Sequence, residues 1–393
     1  MSTRRAFLES GLGLTGALLF GCHDEALSSS LPAEDAGTAC AEQLAGASPL
    51  GTVPFINEGE APLETTLGVG LDGRLLTDLS ALTATSLITP NEHFYVRTRF
   101  PDQLDPNVPW RIRINGLVDA ESELGLDQIL ARERFFGTHL LECSGNSKNG
   151  HFGLLSAAEW HGVPLLELLD AIPRRAEATR VGISGFDRHS QPSANNHSTP
   201  GASWIFSFDQ LEATGAFLAT RINGAPLPAD HGAPLRLVVP GWYGCTCIKW
   251  VDEIGFFDDG AAATSQMQEF AGRTHQPEVF ALARDYLPAT IDAAAMPIRI
   301  EHWQLADGPA YRVVGIRWGG DQPLERLSIQ YGDGPWQPVE LCSLRPDPRT
   351  WSLWNHLWRP PAPGDYAIKL RVDAPQVRQR RLDLGYYARE VTI

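Results

Sequence analysis

The stretch His139–Gly150 reads HLLECSGNSKNG, and it joins a run of apolar residues to a tight polar loop at a single cysteine. The apolar residues before Cys143 predict a buried β-strand, and Ser144, Gly145 and Asn146 are typical of a turn. A thiolate at such a strand end faces the edge of a pocket and suits a thiophilic metal, which would keep the thiol deprotonated. The alternative is a small buried hydrophobic residue next to a turn.

A second segment, residues 227–241, reads LPADHGAPLRLVVPG. It places His231 in a loop bounded by glycine and proline, and it places Arg236 inside a strand predicted over Leu235–Val239. Arginine is the side chain that binds phosphate through two parallel hydrogen bonds. The segment therefore predicts a rigidly held donor for an anionic, phosphate-bearing ligand.

The next segment, residues 241–251, reads GWYGCTCIKWV and adds Lys249, in a strand predicted over Ile248–Phe257. Cys245 and Cys247 are expected as i, i+2 neighbours on one strand face. Two interpretations of these cysteines stay open, a second metal site or small residues that line a pocket.

Upstream, Phe94–Phe100 reads FYVRTRF and predicts a strand with Arg97 and Arg99 on one face. Taken singly, each cation in these segments is compatible with an exposed strand residue. In a chain with 47 acidic and 32 basic residues, their combination instead indicates a local basic pocket.

Together these segments resemble the sulfite oxidase family of molybdenum enzymes, over nearly all of the chain after its N-terminal segment. The resemblance implies that Cys143, in a C-x-G-N loop, ligates molybdenum, and that Arg97 is the remaining cation for an anionic substrate. The segment Glu159–Leu169, EWHGVPLLELL, resembles the family's W-x-G-V-P-L segment. The resemblance also implies these residues for molybdopterin binding: Tyr95, Val96, Arg97, Thr98, Arg99, His231, Arg236, Cys247, Ile248 and Lys249.

The resemblance breaks at three positions on the substrate side. Ser147 and Thr246 stand where sulfite oxidases usually carry arginines that help neutralise the oxyanion, and Phe270 stands where they carry a tyrosine. Charge-assisted hydrogen bonds contribute about 1.5–3 kcal/mol each, so sulfite binding should be weaker unless other cations compensate. The candidates for that role are Lys148, Arg97, His151 and Arg273.

Composition narrows the classes of partner. A net charge of −15 and a pI near 5.2 argue against nucleic acid, which requires a broad basic surface, and are compatible with a small basic redox protein. The sequence has no C-x-x-C pair and no C-x-x-C-H motif, so we expect neither a zinc ribbon nor covalent haem in this chain. Electrons would then pass to an external acceptor such as a cytochrome or a partner subunit.

The N-terminus pairs Arg4 and Arg5 with a short apolar stretch, Leu12–Gly21. It is too short for the roughly 20 residues of a membrane span and resembles a twin-arginine export signal over residues 1–21. We expect a flexible tether over residues 22–48. Export to the periplasm is predicted, with either plain cleavage or a lipid anchor on Cys22.

Two globular regions are predicted after the tether. Residues 49–290 mix strands and helices irregularly, which indicates an α+β molybdopterin-binding domain, and residues 184–201 form a long loop that would overhang the pocket. Residues 291–393 show short strands with turn punctuation, typical of an all-β immunoglobulin-like sandwich, which by analogy with the family mediates a homodimer. Strands are predicted over Ile298–Leu305, Tyr311–Trp318, Leu324–Tyr331, Trp351–Leu357 and Tyr366–Val372, with Trp351, Trp354 and Trp358 in the core.

The function implied by the resemblance is oxygen-atom transfer to sulfite or another small sulfur oxyanion by a molybdenum-molybdopterin enzyme. Two alternatives stay open: a periplasmic reductase of S-oxides such as methionine sulfoxide, and a non-catalytic binding protein with a decayed site. A nucleotide-binding enzyme is disfavoured because no glycine-rich phosphate loop accompanies the basic strands.

Overall fold

A computed structural model describes Leu44, residues 46–101, 104–105, 107–189, 202–322, 324–342, 347 and 349–393. The predicted export signal, Cys22, Cys40 and nearly all of the tether lie outside these residues, as does most of the loop over residues 184–201. Within the described ranges, none of the helices combines the length and the apolar composition that crossing a lipid bilayer requires.

The described residues form a sheet-rich protein with few, short helices. In the first part of the chain the strands are β1 Ser48–Val53, β2 Phe55–Ile56, β3 Arg111–Gly116, β4 Ser122–Gly125, β5 Arg134–Glu142, β6 Leu155–Pro164, β7 Arg180–Gly185, β8 Ser203–Ser207, β9 Phe217–Ile222, β10 Ala225–Pro226, β11 Arg236–Val238 and β12 Val251–Phe257. The later strands are β13 Ala294–Leu305, β14 Gly308–Trp318, β15 Leu327–Tyr331, β16 Gln337–Pro338, β17 Glu340–Leu341, β18 Ser352–Trp358, β19 Asp365–Val372 and β20 Arg389–Thr392. The helices are α1 Leu126–Leu130, α2 Leu165–Asp170, α3 Phe208–Thr214, α4 Ser265–Glu269 and α5 Arg380–Asp383.

Two sheets are built from the strands before residue 260. One has the order β4-β3-β12-β7-β8, in which β3 and β12 are parallel and the other neighbours antiparallel. The other has the antiparallel order β10-β9-β6-β5, and β11 also pairs with β9, with Arg236 opposite Ala219. Cys143 follows directly on β5, at the end of the second of these sheets.

Two further sheets contain the C-terminal strands. Their orders are β1-β13-β14-β18-β17 and β16-β15-β19-β20-β2, and neighbouring strands in both are antiparallel. The two earliest strands, β1 and β2, therefore pair with strands formed about 240 to 340 residues later in the chain. The strand predictions for this region are confirmed to within a few residues at each end.

Hydrophobic side chains form two clusters. The first contains Trp160, Phe206 and Val239 and draws its members mainly from β3–β12 and their helices. The second draws members from both C-terminal sheets and also from β5 and β6. Trp351, Trp354 and Trp358 are buried in the second cluster, as the core prediction required. Their burial removes large apolar surfaces from water, the dominant favourable contribution to folding.

Some local predictions are confirmed and others are wrong. Helix α2 begins after Pro164 and buries Leu165, Leu168 and Leu169, as the helical spacing predicted. The strand predicted over Ile248–Phe257 begins only at Val251. Trp250 precedes it with a φ of +52°, a left-handed conformation that cannot continue an extended strand.

The strand predicted over Phe94–Phe100 is also wrong. Only Val96 pairs with another extended residue, in an isolated bridge to Leu75. Other amides of the segment have separate partners: Tyr95 N–H donates to Ser156 Oγ at 3.1 Å, Arg99 N–H donates to Gly70 O at 3.0 Å, and Phe100 N–H donates to Asp230 Oδ1 at 2.8 Å. Because these partners come from several elements, the segment winds along the protein instead of following one neighbouring strand.

Candidate active site

Cys143 is held at the first residue after β5 with its sulfur beside a cavity. Its backbone N–H donates to Leu154 O at 3.0 Å, which continues the pairing of β5 with β6 by one residue. Its Sγ accepts the N–H of Gly145 at 3.4 Å. The side chain is 6% exposed. The strand-end position predicted for this cysteine is confirmed.

The residue before the cysteine is fixed by the C-terminal part of the chain. Glu142 is fully buried, and it accepts hydrogen bonds from Trp318 Nε1 and Tyr387 OH, both at 2.9 Å. Arg381 Nη1 lies 3.8 Å from the same carboxylate. Burial raises the pKa of Glu142, and Arg381 is the largest of the influences that lower it. Sequence reasoning missed all four residues.

The loop after the cysteine is fixed from the same side. Arg381 Nη2 donates to the carbonyl oxygen of Ser144 at 2.6 Å, and Tyr386 OH donates to the carbonyl oxygen of Asn146. Asn146 Oδ1 in turn accepts the N–H of Leu154 at 3.0 Å. The loop that presents Cys143 is therefore supported along its length by buried polar contacts, which fix a ligand's direction.

The cavity beside Cys143 collects most of the predicted site residues. Of the predicted set, eight line it: Tyr95, Arg97, Thr98, Cys143, Arg236, Cys247, Ile248 and Lys249. It is also lined by Asp187, Ala202, Asp230, Gly244, Cys245, Trp250, Gln266, Glu269 and Phe270. The structure thus brings together predicted residues that lie up to 154 positions apart, from Tyr95 to Lys249.

A cationic wall of this cavity is formed by Arg236 and Lys249. Arg236 is 5% exposed, and its Nε has no hydrogen-bond partner among the described residues. Lys249 Nζ donates to the carbonyl oxygens of Thr98 and of Asp230, the latter at 2.8 Å. Burial and then the repulsion of Arg236 lower the pKa of Lys249 to about 7. An anionic ligand would relieve that repulsion.

Gly232 permits the close approach of these two cations. Its φ is +108°, and a Cβ at this position would lie 3.0 Å from the Cβ of Lys249 and 3.1 Å from the Cβ of Arg236. A larger residue in place of Gly232 would push the side chains of Lys249 and Arg236 apart, which explains the glycine at this position.

Val96, Arg99 and His231 line a neighbouring cavity instead, which shares Asp230 with the first. Arg99 is committed to an ion pair, with its Nε 3.0 Å from Asp230 Oδ2. Burial lowers the pKa of His231 to about 4, so the ring is neutral at pH 7, and its Nε2 lies 3.1 Å from Asn91 O. The prediction that Arg97 and Arg99 share one strand face is wrong, because the segment is not a strand.

Asp187 was missed, although it lines the main cavity. It follows β7 by two residues and is 6% exposed, and its Oδ1 has no partner among the described residues. Burial raises its pKa to about 6, and Lys249 counteracts that effect. The only signal in the sequence was an acidic residue immediately after the apolar run VGISGF. Burial of a carboxylate at such a position is costly unless it has a partner, which indicates a functional role.

Cys245 and Cys247 both line the cavity. They do not lie on a strand, because Gly244–Thr246 form a turn of 3-10 helix, and that prediction is wrong. In the described part of the chain, no group of three or more His, Cys, Asp or Glu side chains is arranged to hold a metal ion. This favours the pocket-lining interpretation of the two cysteines over a second metal site.

The three departures from the sulfite oxidase pattern lie as follows. Thr246 is fully buried, and its hydroxyl donates to Tyr243 O at 2.9 Å, so it offers nothing to the cavity. Ser147 precedes the turn Lys148–Gly150, and Phe270 lines the cavity. Of the proposed compensating groups, His151 is engaged by Glu58 at 3.0 Å.

The residues of the cavity fit a molybdopterin-type cofactor. A soft sulfur donor, Cys143, stands at one position of the wall, and two buried cations, Arg236 and Lys249, stand at another. Two buried polar atoms, Asp187 Oδ1 and Arg236 Nε, have no partner within the described residues. Buried polar atoms are costly when left unpaired, and a ligand with both an anionic group and N–H donors would satisfy both.

Comparison with known proteins gives the same answer. The family model of the oxidoreductase molybdopterin binding domain matches residues 98–264. Rat mitochondrial sulfite oxidase is 27% identical over 294 residues, which cover 69% of this chain and 53% of the rat protein. Chicken sulfite oxidase is 26% identical over 301 residues, covering 70% of this chain and 64% of that protein. The chain spans about half to two thirds of the length of these relatives.

Two further proteins, one similar in sequence and one similar in structure, extend the comparison. The NADPH nitrate reductase of Emericella nidulans is 31% identical over 192 residues, covering 45% of this chain and 21% of that enzyme. The crystal structure of the sulfane dehydrogenase SoxCD from Paracoccus pantotrophus superposes with a TM-score of 0.59 at 20% identity, over 92% of this chain and 86% of that one. That likeness supports the fold. Residues 98–264 therefore form an oxidoreductase molybdopterin binding domain, and the chain as a whole is similar in sequence to the sulfite oxidases.

Proposed function

We propose that this protein is a molybdenum-dependent oxidoreductase that transfers an oxygen atom to a small sulfur oxyanion, such as sulfite. The observation that carries the proposal is the position of Cys143, whose sulfur stands on the wall of one cavity with Arg97, Arg236 and Lys249. A soft ligand beside convergent cations suits a thiophilic metal with an anionic cofactor and an anionic substrate.

When bound, the family's cofactor supplies two-electron oxygen-atom transfer. The protein binds and orients it. Cys143 would provide the sulfur ligand, and the N–H of Gly145 donates to that sulfur. Arg236 and Lys249 are suited to the anionic part of the cofactor, and the unpaired Oδ1 of Asp187 is suited to an N–H donor at its other edge. Arg97, which lines the same cavity, is suited to attract the substrate.

Electrons from the reaction would leave to a separate acceptor, a cytochrome or a partner subunit, since the sequence carries no C-x-x-C-H motif for covalent haem. The net charge of −15 supports an acceptor of opposite charge, because complementary fields speed encounter. A homodimer formed through an immunoglobulin-like C-terminal sandwich is part of the proposal, by analogy with the family.

Export by the twin-arginine route is a further part of the proposal, with either plain cleavage or a lipid on Cys22. Arg4 and Arg5 before a short apolar stretch support it. Cys342 is disulfide-bonded, which suits an oxidising compartment.

One alternative keeps a specific observation in its favour. Thr246 is buried and uncharged where sulfite oxidases usually carry an arginine, and a reductase of neutral S-oxides would need fewer cations. The steady-state assays described below distinguish the oxidase from the reductase. The metal content alone tests whether the site is decayed and non-catalytic.

The first experiment is elemental analysis of protein produced in a host that makes molybdopterin, with Cys143→Ser and, as the matched control, Cys245→Ser. We expect molybdenum near one per chain in the wild type and in Cys245→Ser, and a large loss in Cys143→Ser. Wild-type protein without molybdenum, or a Cys143→Ser variant that keeps it, would contradict the proposal.

The second experiment uses the same molybdenum-loaded sample in steady-state assays with sulfite, thiosulfate and methionine sulfoxide. Oxidation of sulfite or thiosulfate with an artificial electron acceptor is the expected result. Turnover of methionine sulfoxide alone would assign the protein to the reductase alternative.

A further inference from the structure

Arg273 lies beside the loop that follows Cys143, and it is not among the residues that line the main cavity. The ideal Cβ position of Gly145 lies 3.7 Å from Arg273 Nη1 and 3.8 Å from Cys143 Sγ. The guanidinium and the sulfur therefore both border the space that a side chain at this position would occupy. No hydrogen bond or ion pair engages the Arg273 guanidinium within the described residues.

The position of Arg273 is fixed with respect to the cysteine. Arg381 Nη2 donates both to Ser144 O, at 2.6 Å, and to Arg273 O, at 3.0 Å. One buried guanidinium thus ties the loop that carries the sulfur to the turn that carries Arg273. The Arg273 guanidinium carbon also lies 5.4 Å from the centre of the Phe270 ring, a cation–π distance.

Arg97 lines the same cavity as Cys143. Burial is the main cause that lowers its pKa, while the negative Cys143 raises it and the like charge of Arg273 lowers it. Two arginines that repel each other beside one cysteine form a favourable site for a small anion. Glu269, which lines the cavity, and Arg273 are both exposed, so solvent screens both charges.

We propose that Arg273, together with Arg97, binds the oxyanion substrate beside Cys143 and takes the place of the cations missing at Ser147 and Thr246. The inference rests on the proposed function, which it makes specific: the substrate is a tetrahedral or pyramidal oxyanion rather than a neutral S-oxide. Gly145 is part of the proposed binding site, because its lack of a side chain keeps the space beside the Cys143 sulfur and the Arg273 guanidinium open.

The test is calorimetric titration of inorganic sulfate into molybdenum-loaded wild type, Arg273→Met, Arg273→Lys and the control Arg284→Met. Arg284 is an arginine half exposed in its side chain, outside the cavity. Loss of one charge-assisted bond should weaken sulfate binding about tenfold or more in Arg273→Met. We expect an intermediate loss in Arg273→Lys and none in Arg284→Met. Molybdenum content should be equal in all four.

Gly145→Ala provides a second variant. Its new methyl group would make ordinary contacts with Arg273 and Cys143, so the fold should be retained while sulfate binding weakens. Wild-type affinity in Arg273→Met, an equal loss in Arg284→Met, or no sulfate binding by the wild type would each overturn the inference and leave the proposed function standing. If the wild type contains no molybdenum, the proposed function fails, and titration of the metal-free protein still tests the arginine pair.

Discussion

Glu142 and Arg381 form a buried pair directly beneath the loop that carries the candidate metal ligand, with Glu142 Oε1 3.8 Å from Arg381 Nη1. The two residues are separated by 239 positions in the chain. Because Glu142 is adjacent to Cys143 and Arg381 also donates to Ser144 O, the pair ties helix α5 to the site.

The first prediction concerns this pair. Glu142→Gln removes the charge that Arg381 needs, and loss of one partner of a buried pair typically costs about 3–5 kcal/mol. We expect a loss of that order in the free energy of unfolding, measured with urea, and a lower molybdenum content. The control is Asp307→Asn in the exposed pair of Arg359 and Asp307, 2.6 Å apart, which should cost under about 1 kcal/mol. Equal urea midpoints for Glu142→Gln and the wild type would refute the prediction.

The second prediction concerns pH. His139 is 3% exposed, and burial lowers its pKa from 6.5 to about 4. A lowered pKa means that the folded state binds the proton less well than the unfolded chain does. The associated stability is complete above pH 6.5 and is lost as the pH falls toward 4, by about 3 kcal/mol at most.

His139→Gln has no such titration and keeps a donor for Phe136 O, which lies 3.0 Å from the histidine Nε2. The measurement is the free energy of unfolding of both proteins at several values between pH 7 and pH 4. The wild type should lose more stability than the variant over that range, and parallel curves would show that His139 is not the cause.

The third prediction concerns cofactor retention. Lys249 Nζ donates to Asp230 O at 2.8 Å and stands beside Arg236 in the cavity. Lys249→Met removes one of two buried cations, so we expect faster loss of pterin and molybdenum on gel filtration. Lys369→Met, a lysine on β19 that does not line the cavity, is the matched control. Equal retention by the two variants would argue against a role for Lys249 in holding the cofactor.

The fourth prediction tests packing between the C-terminal strands. A Cβ at Gly315 would lie 2.1 Å from Trp354 Cζ2 and 2.4 Å from Met296 O. Gly315→Ala should therefore destabilise the protein by about 1–3 kcal/mol or more, the usual range for overpacking a core. At Gly272 a Cβ would meet nothing within 4 Å, so Gly272→Ala should melt close to the wild type. Thermal unfolding of the two variants gives the comparison, and similar melting temperatures would count against the described packing.

Short sequence patterns were enough to predict most of the C-terminal strands. Short strand-like runs separated by turn residues predicted β13, β14, β18 and β19 to within a few residues. The alternation of apolar and basic residues in Phe94–Phe100 was misleading. This segment is not a strand, and its residues line two different cavities.

Some residues of the candidate site could be predicted from the sequence and others could not. Cys143, Arg236 and Lys249 were predictable because short motifs surround them, and the structure brings them to one cavity. The only sequence signal for Asp187 is that an acidic residue follows a strand-like apolar run. Arg381 and Tyr387 act on Glu142 from more than 230 positions away, and a single sequence contains no record of such distant contacts.

The supports of the Cys143 loop have a consequence for the order of assembly. Arg381, Tyr386 and Tyr387 lie close together in the chain, and they reach Ser144 O, Asn146 O and Glu142 respectively. A nascent chain that has already emerged past Cys143 still lacks these three contacts until more than 230 further residues have been added. The pocket wall becomes rigid only when that late segment has docked, so stable loading of a metal group should follow its synthesis rather than accompany the emergence of the cysteine.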